Sequence, residues 1–168
     1  MYFIRTASER DLPAIHALLV AAYDAVYTPI HGREKVAELN AAWNSPDVLR
    51  QLIRDPAGEF LVADSGTEIG GIAYACPSRS KPATATLAKL YVHPDRKRKG
   101  IGGALFAEVE TCFPEAKTLR LEVDVSNPEA IAFYEAHGMS IVGRTENCGA
   151  AESGIPAHIM EKTLDPLR

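Results

Sequence analysis

The stretch from Leu90 to Leu105, LYVHPDRKRKGIGGAL, constrains this chain more than any other. An apolar strand passes through a cationic turn straight into a helix whose first turn is nearly all glycine. A helix start leaves backbone N–H groups unpaired and carries partial positive charge, so it is an anion site before any side chain is counted. Gly100, Gly102 and Gly103 remove the β-carbons that would keep a bulky diphosphate from those N–H groups, and Lys97, Arg98 and Lys99 add neutralising charge. The predicted occupant carries a pyrophosphate.

Other uses of the same residues are weaker. A nucleic-acid patch fits poorly with a net charge of −4 and no second basic cluster to extend a footprint. The Walker A pattern G-x-x-x-x-G-K-[ST] is absent, and the dinucleotide fingerprint G-x-G-x-x-G fails because Gly102 is followed by Gly103, Ala104 and Leu105. The remaining alternative is an ordinary glycine-rich turn with solvated lysines. Against it stands a second specified segment, Asn127 to Met139, NPEAIAFYEAHGM. Asn127 is a good N-cap, Pro128 fits the first helical position, Glu129 complements the dipole, and Gly138 sits where a left-handed C-terminal cap belongs. Asn127, Ile131 and Tyr134 then fall along one stripe at i, i+4 and i+7. Read from the residues alone, Tyr134 is either a functional phenol or a packed aromatic, and Asn127 a cap.

At 168 residues with 46% hydrophobic content, the chain is expected to form one domain over 1–168. It has no 18-residue apolar run, and the N-terminus MYFIRTASERD has neither a signal-peptide layout nor transit-peptide character, so a cytoplasmic location without a membrane span is expected. The three cysteines, Cys76, Cys112 and Cys148, are odd in number, far apart and never paired as C-x-x-C. Reduced, mostly packed thiols and no metal site are expected.

Along the chain, Tyr2 to Thr6 reads as a short strand, and Ser8 with Asp11 as a capping-box-like helix start ahead of Leu12, Ile15, Leu18 and Leu19. A second helical region is predicted from Arg33 to Arg54, broken near Asn44-Ser45-Pro46. Glu59 to Asp64 and Glu68 to Cys76 read as strands joined by a turn at Ser65-Gly66-Thr67, followed by a strand from Thr84 to Val92. Ile101, Leu105, Val109 and Cys112 recur at helical spacing up to Pro114. Thr118 to Val125 alternates, with Leu119, Leu121, Val123 and Val125 on one face and Arg120, Glu122 and Asp124 on the other. A last helix and two strands, near Met139 to Thr145 and Pro156 to Thr163, complete the order.

With both motifs in place, the chain resembles the GNAT superfamily of acyl-CoA-dependent N-acyltransferases. That family's pyrophosphate loop, [QR]-x-x-G-x-[GA], is matched by Lys97-Arg98-Lys99-Gly100-Ile101-Gly102, with Lys97 where Gln or Arg is usual. The resemblance implies a mixed α/β fold: a central, mostly antiparallel twisted sheet of roughly six to seven strands flanked by about four helices. It implies acetyl-CoA as co-substrate, held by Lys97, Arg98, Lys99, Gly100, Ile101, Gly102 and Gly103, by backbone amides at Leu90, Tyr91 and Val92, and by Asn127 and Tyr134 beside the pantetheine arm. A tyrosine at the place of Tyr134 is the usual proton donor to the departing thiolate, and a strand amide meets the developing oxyanion.

Many relatives place a glutamate on the fourth strand, but Ala88, Lys89 and Leu90 stand there. The base is then Glu122 on the neighbouring strand, Asp124, or a water chain, while Glu122 also fits an ordinary strand-face pair. His93, before a proline, reads as structural. Tyr23, Tyr27, His31 and Trp43, with Asp24, Glu34 and Glu38, offer aromatic and acidic groups to an amine acceptor, and the segment from Glu146 to Pro156 is a lid or a hairpin loop. The expected activity is direct acetyl transfer to a primary amine of a small molecule or peptide in a ternary complex, without a covalent acyl-enzyme, by a chain that works alone or as a homodimer. The alternative is a catalytically silent acyl-CoA-binding sensor or interaction module on the same fold.

Overall fold

The computed structural model describes residues 1–150 and 152–165; Ala151, within the segment 146–156, and residues 166–168, at the end of the expected single domain, lie outside the described residues. In chain order the elements are β1 (Phe3–Thr6), α1 (Leu12–His31), α2 (Arg33–Trp43), α3 (Pro46–Arg54), β2 (Glu59–Asp64), β3 (Ile69–Pro77), β4 (Thr84–Val92), α4 (Ile101–Val109), β5 (Thr118–Asp124), α5 (Pro128–Ala136), β6 (Ser140–Thr145) and β7 (Ala157–Thr163). Backbone hydrogen bonding orders the 7-stranded sheet β1-β2-β3-β4-β5-β7-β6. The pairs β1–β2, β2–β3, β5–β7 and β6–β7 are antiparallel, and β4–β5 is parallel, from Thr84 opposite Thr118 to Thr86 opposite Arg120. A parallel pair needs a crossover connection, and this one carries α4. The expected mixed α/β, mostly antiparallel sheet is therefore present.

The break near Pro46 splits the second helical region into α2 and α3. Asn44 closes α2 through its N–H to the Asn40 carbonyl, and Ser45 caps α3 by accepting from the Val48 N–H at 3.2 Å. Ser8 and Asp11 do form a capping contact, with the Ser8 N–H donating to Asp11 Oδ2 at 2.8 Å, but a short 3-10 turn over Glu9–Asp11 intervenes before α1. The hydrophobic spacing that reached Cys112 outlasts the helix, which stops at Val109. Among the described residues, no helix is long and apolar enough to cross a membrane.

The described residues fall into two compact units, Met1–Ala75 with Lys89–Val109, and Cys76–Ala88 with those from Glu110 onward. In the first, α1 buries Leu12, Ile15, Leu18, Leu19, Ala22 and Tyr23 at helical spacing. Helix α4 buries Ile101, Leu105, Phe106 and Val109, each contributing about 1.5–3 kcal/mol of apolar burial. It lies close on β3 because Gly70 and Gly71 present no side chain. A Cβ on Gly71 would stand 2.6 Å from Ile101 Cγ2 and 3.0 Å from Leu105 Cδ1.

In the second unit, β5 buries Leu119, Leu121 and Val123 as the alternation requires. Asp124 departs from the expected polar face and is buried. The chain turns over it toward α5, and its Oδ1 accepts the Ser126 N–H at 2.8 Å while its carbonyl accepts the Asn127 N–H. Helix α5 has the predicted ends: Asn127 Oδ1 accepts the Ala130 N–H at 3.2 Å, and Gly138 takes φ +91°. The three cysteines carry free thiols and are half-buried.

Candidate active site

In the first unit the turn after β4 is braced from below. The His93 N–H donates to the Gly70 carbonyl at 2.9 Å, and the Arg96 guanidinium grips Glu68, with bonds of 2.5 and 3.0 Å. Tyr2 donates to the same carboxylate at 2.9 Å, and these donors hold the Glu68 carboxyl down at about 2. Beyond this brace Lys97, Arg98 and Lys99 are exposed, and the backbone bends through φ +63° at Arg98 and +80° at Gly100. Gly100 has open space where a Cβ would stand.

The first intrahelical bond of α4 runs from the Ala104 N–H to the Gly100 carbonyl, at 3.0 Å. The N–H groups of Ile101, Gly102 and Gly103 therefore lie in the first turn of α4, just after the exposed Lys97, Arg98 and Lys99 in the chain. A helix end of this kind suits an anion. Ile101 divides its roles, with its side chain packed in the core at 3% exposure and its amide at the helix mouth.

The C-terminal half of β4 faces α1 and α2 with polar groups. Tyr91 lies 3.1 Å from the Tyr27 hydroxyl and donates to that of Tyr23 at 3.3 Å, so three phenols from β4 and α1 converge. Burial and its phenolic neighbours raise the pKa of Tyr91 well above the ordinary range, so the hydroxyl stays neutral. His31 stacks near Tyr27, with ring centroids 6.2 Å apart. The acidic residues grouped with these aromatics in the sequence do not join them. Asp24 accepts from Thr28 on the surface, Glu34 is exposed, and Glu38 lies 3.8 Å from Lys35.

Two steps along β4 from Tyr91, Lys89 occupies a core position and is 8% exposed. Its Nζ donates to the Trp43 carbonyl at 3.0 Å and to Asn44 Oδ1 at 2.7 Å, and Asn44 Nδ2 donates onward to Asn40 Oδ1. Burial alone lowers Lys89 to about 8.

The second unit carries the other nominated groups. Tyr134 lies half-buried on α5, beside Phe133 at 5.4 Å between ring centroids, and burial pushes its phenol above its ordinary pKa. Asn127 caps that helix. Glu122 points outward from β5, and its Oε1 accepts the Gly149 N–H at 2.8 Å. Gly149 takes φ +75°, a conformation that glycine holds without strain. The segment between β6 and β7 thus rests on Glu122, closed at its neck by the Cys148 N–H to the Ile155 carbonyl at 2.8 Å. Cys148 is pushed up to about 12, by burial first and then by the charges of Glu122 and Asp124.

A groove lined by Thr118, Ser140, Val142, Glu161 and Lys162 holds none of the nominated residues. Of the groups that sequence reasoning passed over, the Gly70-Gly71 pair had a legible signal, because two glycines inside a strand mark a close backbone approach. The Arg96–Glu68–Tyr2 brace had none, since its members are 28 and 66 residues apart.

A protein of Bacillus subtilis (strain 168), assigned provisionally as a [ribosomal protein bS18]-alanine N-acetyltransferase, is 26% identical over 133 residues, 78% of this chain and 85% of that protein. The PaiA N-acetyltransferase of Thermoplasma acidophilum, solved in complex with coenzyme A, superposes with a TM-score of 0.83 over 97% of this chain and 99% of its own, at 22% identity. A ribosomal-protein-alanine N-acetyltransferase from Brucella melitensis matches with a TM-score of 0.71 and 25% identity, covering 96% of this chain and 99% of its own. The model of the acetyltransferase (GNAT) family matches residues 13–139, a span that includes the glycine-rich start of α4, Glu122 on β5 and the whole of α5. The chain belongs to the GNAT acetyltransferase family.

Proposed function

We propose that this protein transfers the acetyl group of acetyl-CoA directly to the nitrogen of a primary amine. The observation that carries the reading is the mouth of α4: the amides of Ile101, Gly102 and Gly103 stand in its first turn, ahead of the first intrahelical bond, and follow closely on the exposed Lys97, Arg98 and Lys99. That cradle suits a pyrophosphate, and a relative of the same fold was solved with coenzyme A. Amides of Leu90, Tyr91 and Val92, on the end of β4, are assigned to the pantetheine arm and the thioester carbonyl. A strand amide used in this way contributes on the order of 3 kcal/mol to an oxyanion-like transition state.

Each remaining group has a stated share. The neutral acceptor nitrogen forms its bond to the carbonyl carbon as the carbon–sulfur bond breaks. Tyr134, kept protonated by burial, donates its hydroxyl proton as charge develops on sulfur and regains one from solvent. A phenol is a weaker acid than a thiol of pKa about 8.5, so donation follows charge development rather than preceding it. Glu122 accepts the proton that the acceptor nitrogen sheds after attack and passes it to solvent. Asn127 ends the same helix and borders the pantetheine arm. On this reading residues 1–168 form one cytoplasmic N-acetyltransferase domain, monomeric or homodimeric, supported by a family match that draws on both compact units.

The test is release of the coenzyme A thiol from acetyl-CoA with a panel of small amines, aminoglycosides, amino acids and peptides. Amine-dependent release is expected. Calorimetric binding of acetyl-CoA with no release from any amine would leave a silent acyl-CoA-binding module instead.

A further inference from the structure

The turn that leads into α4, Lys97 to Gly100, is pinned to the start of β3 on both of its sides. Ahead of it, Arg96 donates from Nε and Nη2 to the two carboxylate oxygens of Glu68, at 2.5 and 3.0 Å, and from Nη1 to the Asp95 carbonyl at 3.1 Å. Tyr2 donates to the same carboxylate at 2.9 Å. Behind the turn, Ile101 packs on Gly70, where a Cβ would stand 2.9 Å from Ile101 Cδ1 and 2.7 Å from the Tyr2 ring. The Gly70 carbonyl also accepts the His93 N–H. One short stretch, Glu68 to Gly70, therefore holds both ends of the turn.

The turn needs that hold. Arg98 takes φ +63°, a left-handed conformation that crowds its β-carbon against the backbone, whereas Gly100 at +80° meets no such resistance. Strain of this kind persists only where the surroundings impose it, and it gathers at ligand clamps. The brace is also set apart from anion binding. All three nitrogens of the Arg96 guanidinium are committed to protein oxygens, so the first of four consecutive cations, Arg96 to Lys99, is held by the fold. The Glu68 carboxylate in turn has its charge matched by a two-point contact with that guanidinium.

We propose that Glu68 is a positioning residue for acetyl-CoA: acting through Arg96, it fixes the 97–100 turn in the shape that binds the diphosphate, and Arg96 itself makes no contact with the cofactor. The inference rests on the reading that the mouth of α4 takes acetyl-CoA. A turn held in place before the ligand arrives removes an ordering cost from binding. The transfer step does not draw on it, because the thioester is assigned to Leu90–Val92 and the departing thiolate to Tyr134. Loss of the brace then weakens the diphosphate end of the cofactor and leaves the acyl end as it was.

The test uses two acyl donors, acetyl-CoA and S-acetylpantetheine, which has the thioester and the pantetheine arm but no diphosphate. Wild type is compared with Glu68→Gln, Arg96→Gln and the double variant. Glu68→Gln should raise both the calorimetric Kd and the KM of acetyl-CoA by about 5- to 20-fold at nearly unchanged kcat. Its kcat/KM for S-acetylpantetheine should stay at the wild-type value. Arg96→Gln should weaken acetyl-CoA as well, and the double variant should be no weaker than Arg96→Gln alone, because the same interaction is already gone. Wild-type affinity in Glu68→Gln overturns the inference. So does an equal loss on both donors, which marks a general effect on the fold, and so do additive losses from the two single variants, which put Arg96 on the diphosphate. The transferase reading stands in each of these cases. A wild type that binds acetyl-CoA but releases no thiol with any amine refutes that reading, and the calorimetric comparison then decides this inference alone. A wild type that binds no acetyl-CoA refutes both.

Discussion

Lys89, buried with neutral hydrogen-bond partners, leaves a mark on stability. Its pKa falls from 10.5 to about 8 on folding, so between these values the unfolded chain binds more protons than the folded one. Stability must therefore rise with pH through that window, since the charge that the fold penalises is being removed. Below about pH 8 the penalty is fully present, about 3 kcal/mol at about 1.4 kcal/mol per unit. Integrating the linkage, the folded state gains about 1 kcal/mol between pH 7 and 9 and about 2.5 kcal/mol between pH 7 and 10. Other groups pull the opposite way. Cys148 is raised from 9.0 to about 12, so above about pH 9 it lowers stability, and Tyr91 and Tyr134 add to that loss at higher pH.

Lys89→Met separates these contributions. At pH 7 the substitution relieves the penalty of about 3 kcal/mol but strips the donor from Asn44 Oδ1, on a residue that is 0% exposed, and from the Trp43 carbonyl. Buried acceptors left unpaired cost about 1–3 kcal/mol each, so the two effects nearly cancel and the net change at neutral pH has no useful sign. The pH dependence does. Urea unfolding of both proteins at pH 7, 8, 9 and 10 should show wild type gaining on Lys89→Met by about 2 kcal/mol or more over the series. A difference that stays flat in pH would refute the burial of an uncompensated ammonium at this position.

The remaining predictions concern the cradle and the transfer. Gly102→Glu sets a carboxylate among the α4 amides and should weaken acetyl-CoA binding by calorimetry; unchanged affinity would remove the loop from the cofactor site. Gly71→Ala should cost about 1–3 kcal/mol in chemical denaturation, because its Cβ meets Ile101 Cγ2 at 2.6 Å and the Tyr91 carbonyl at 3.2 Å, and it should weaken acetyl-CoA as α4 is displaced. Tyr134→Phe should lower turnover by about 10- to 1,000-fold at nearly unchanged acetyl-CoA affinity, and an undiminished kcat would return Tyr134 to packing. Glu122→Gln should cost about two orders of magnitude in kcat, with a pH profile that keeps its shape only if water carries the proton instead.

Much of this molecule is decided within short windows of sequence, because the responsible forces act over a few residues. The strand–turn–helix from Leu90 to Leu105 follows from local apolar runs and glycines, and the ends of α5 follow from the Asn127 cap, Pro128 and Gly138. The alternation of β5 foretold Leu119, Leu121 and Val123 as core. Asp124 misled the same alternation because a strand end is governed by the turn that follows it, not by the pleat.

What the sequence left open depends on which distant groups meet. Lys89 reads as one more charged residue until Trp43 and Asn44, 46 and 45 residues away, supply its neutral partners. Glu122 gained a specific contact only when Gly149 folded back on it. Asp24, Glu34 and Glu38, close to the aromatics in sequence, were turned to solvent by the pitch of the helices that carry them. Local sequence sets backbone direction and side-chain phase. Burial, and with it the cost or use of a charge, is fixed only when elements far apart in the chain pack and exclude water.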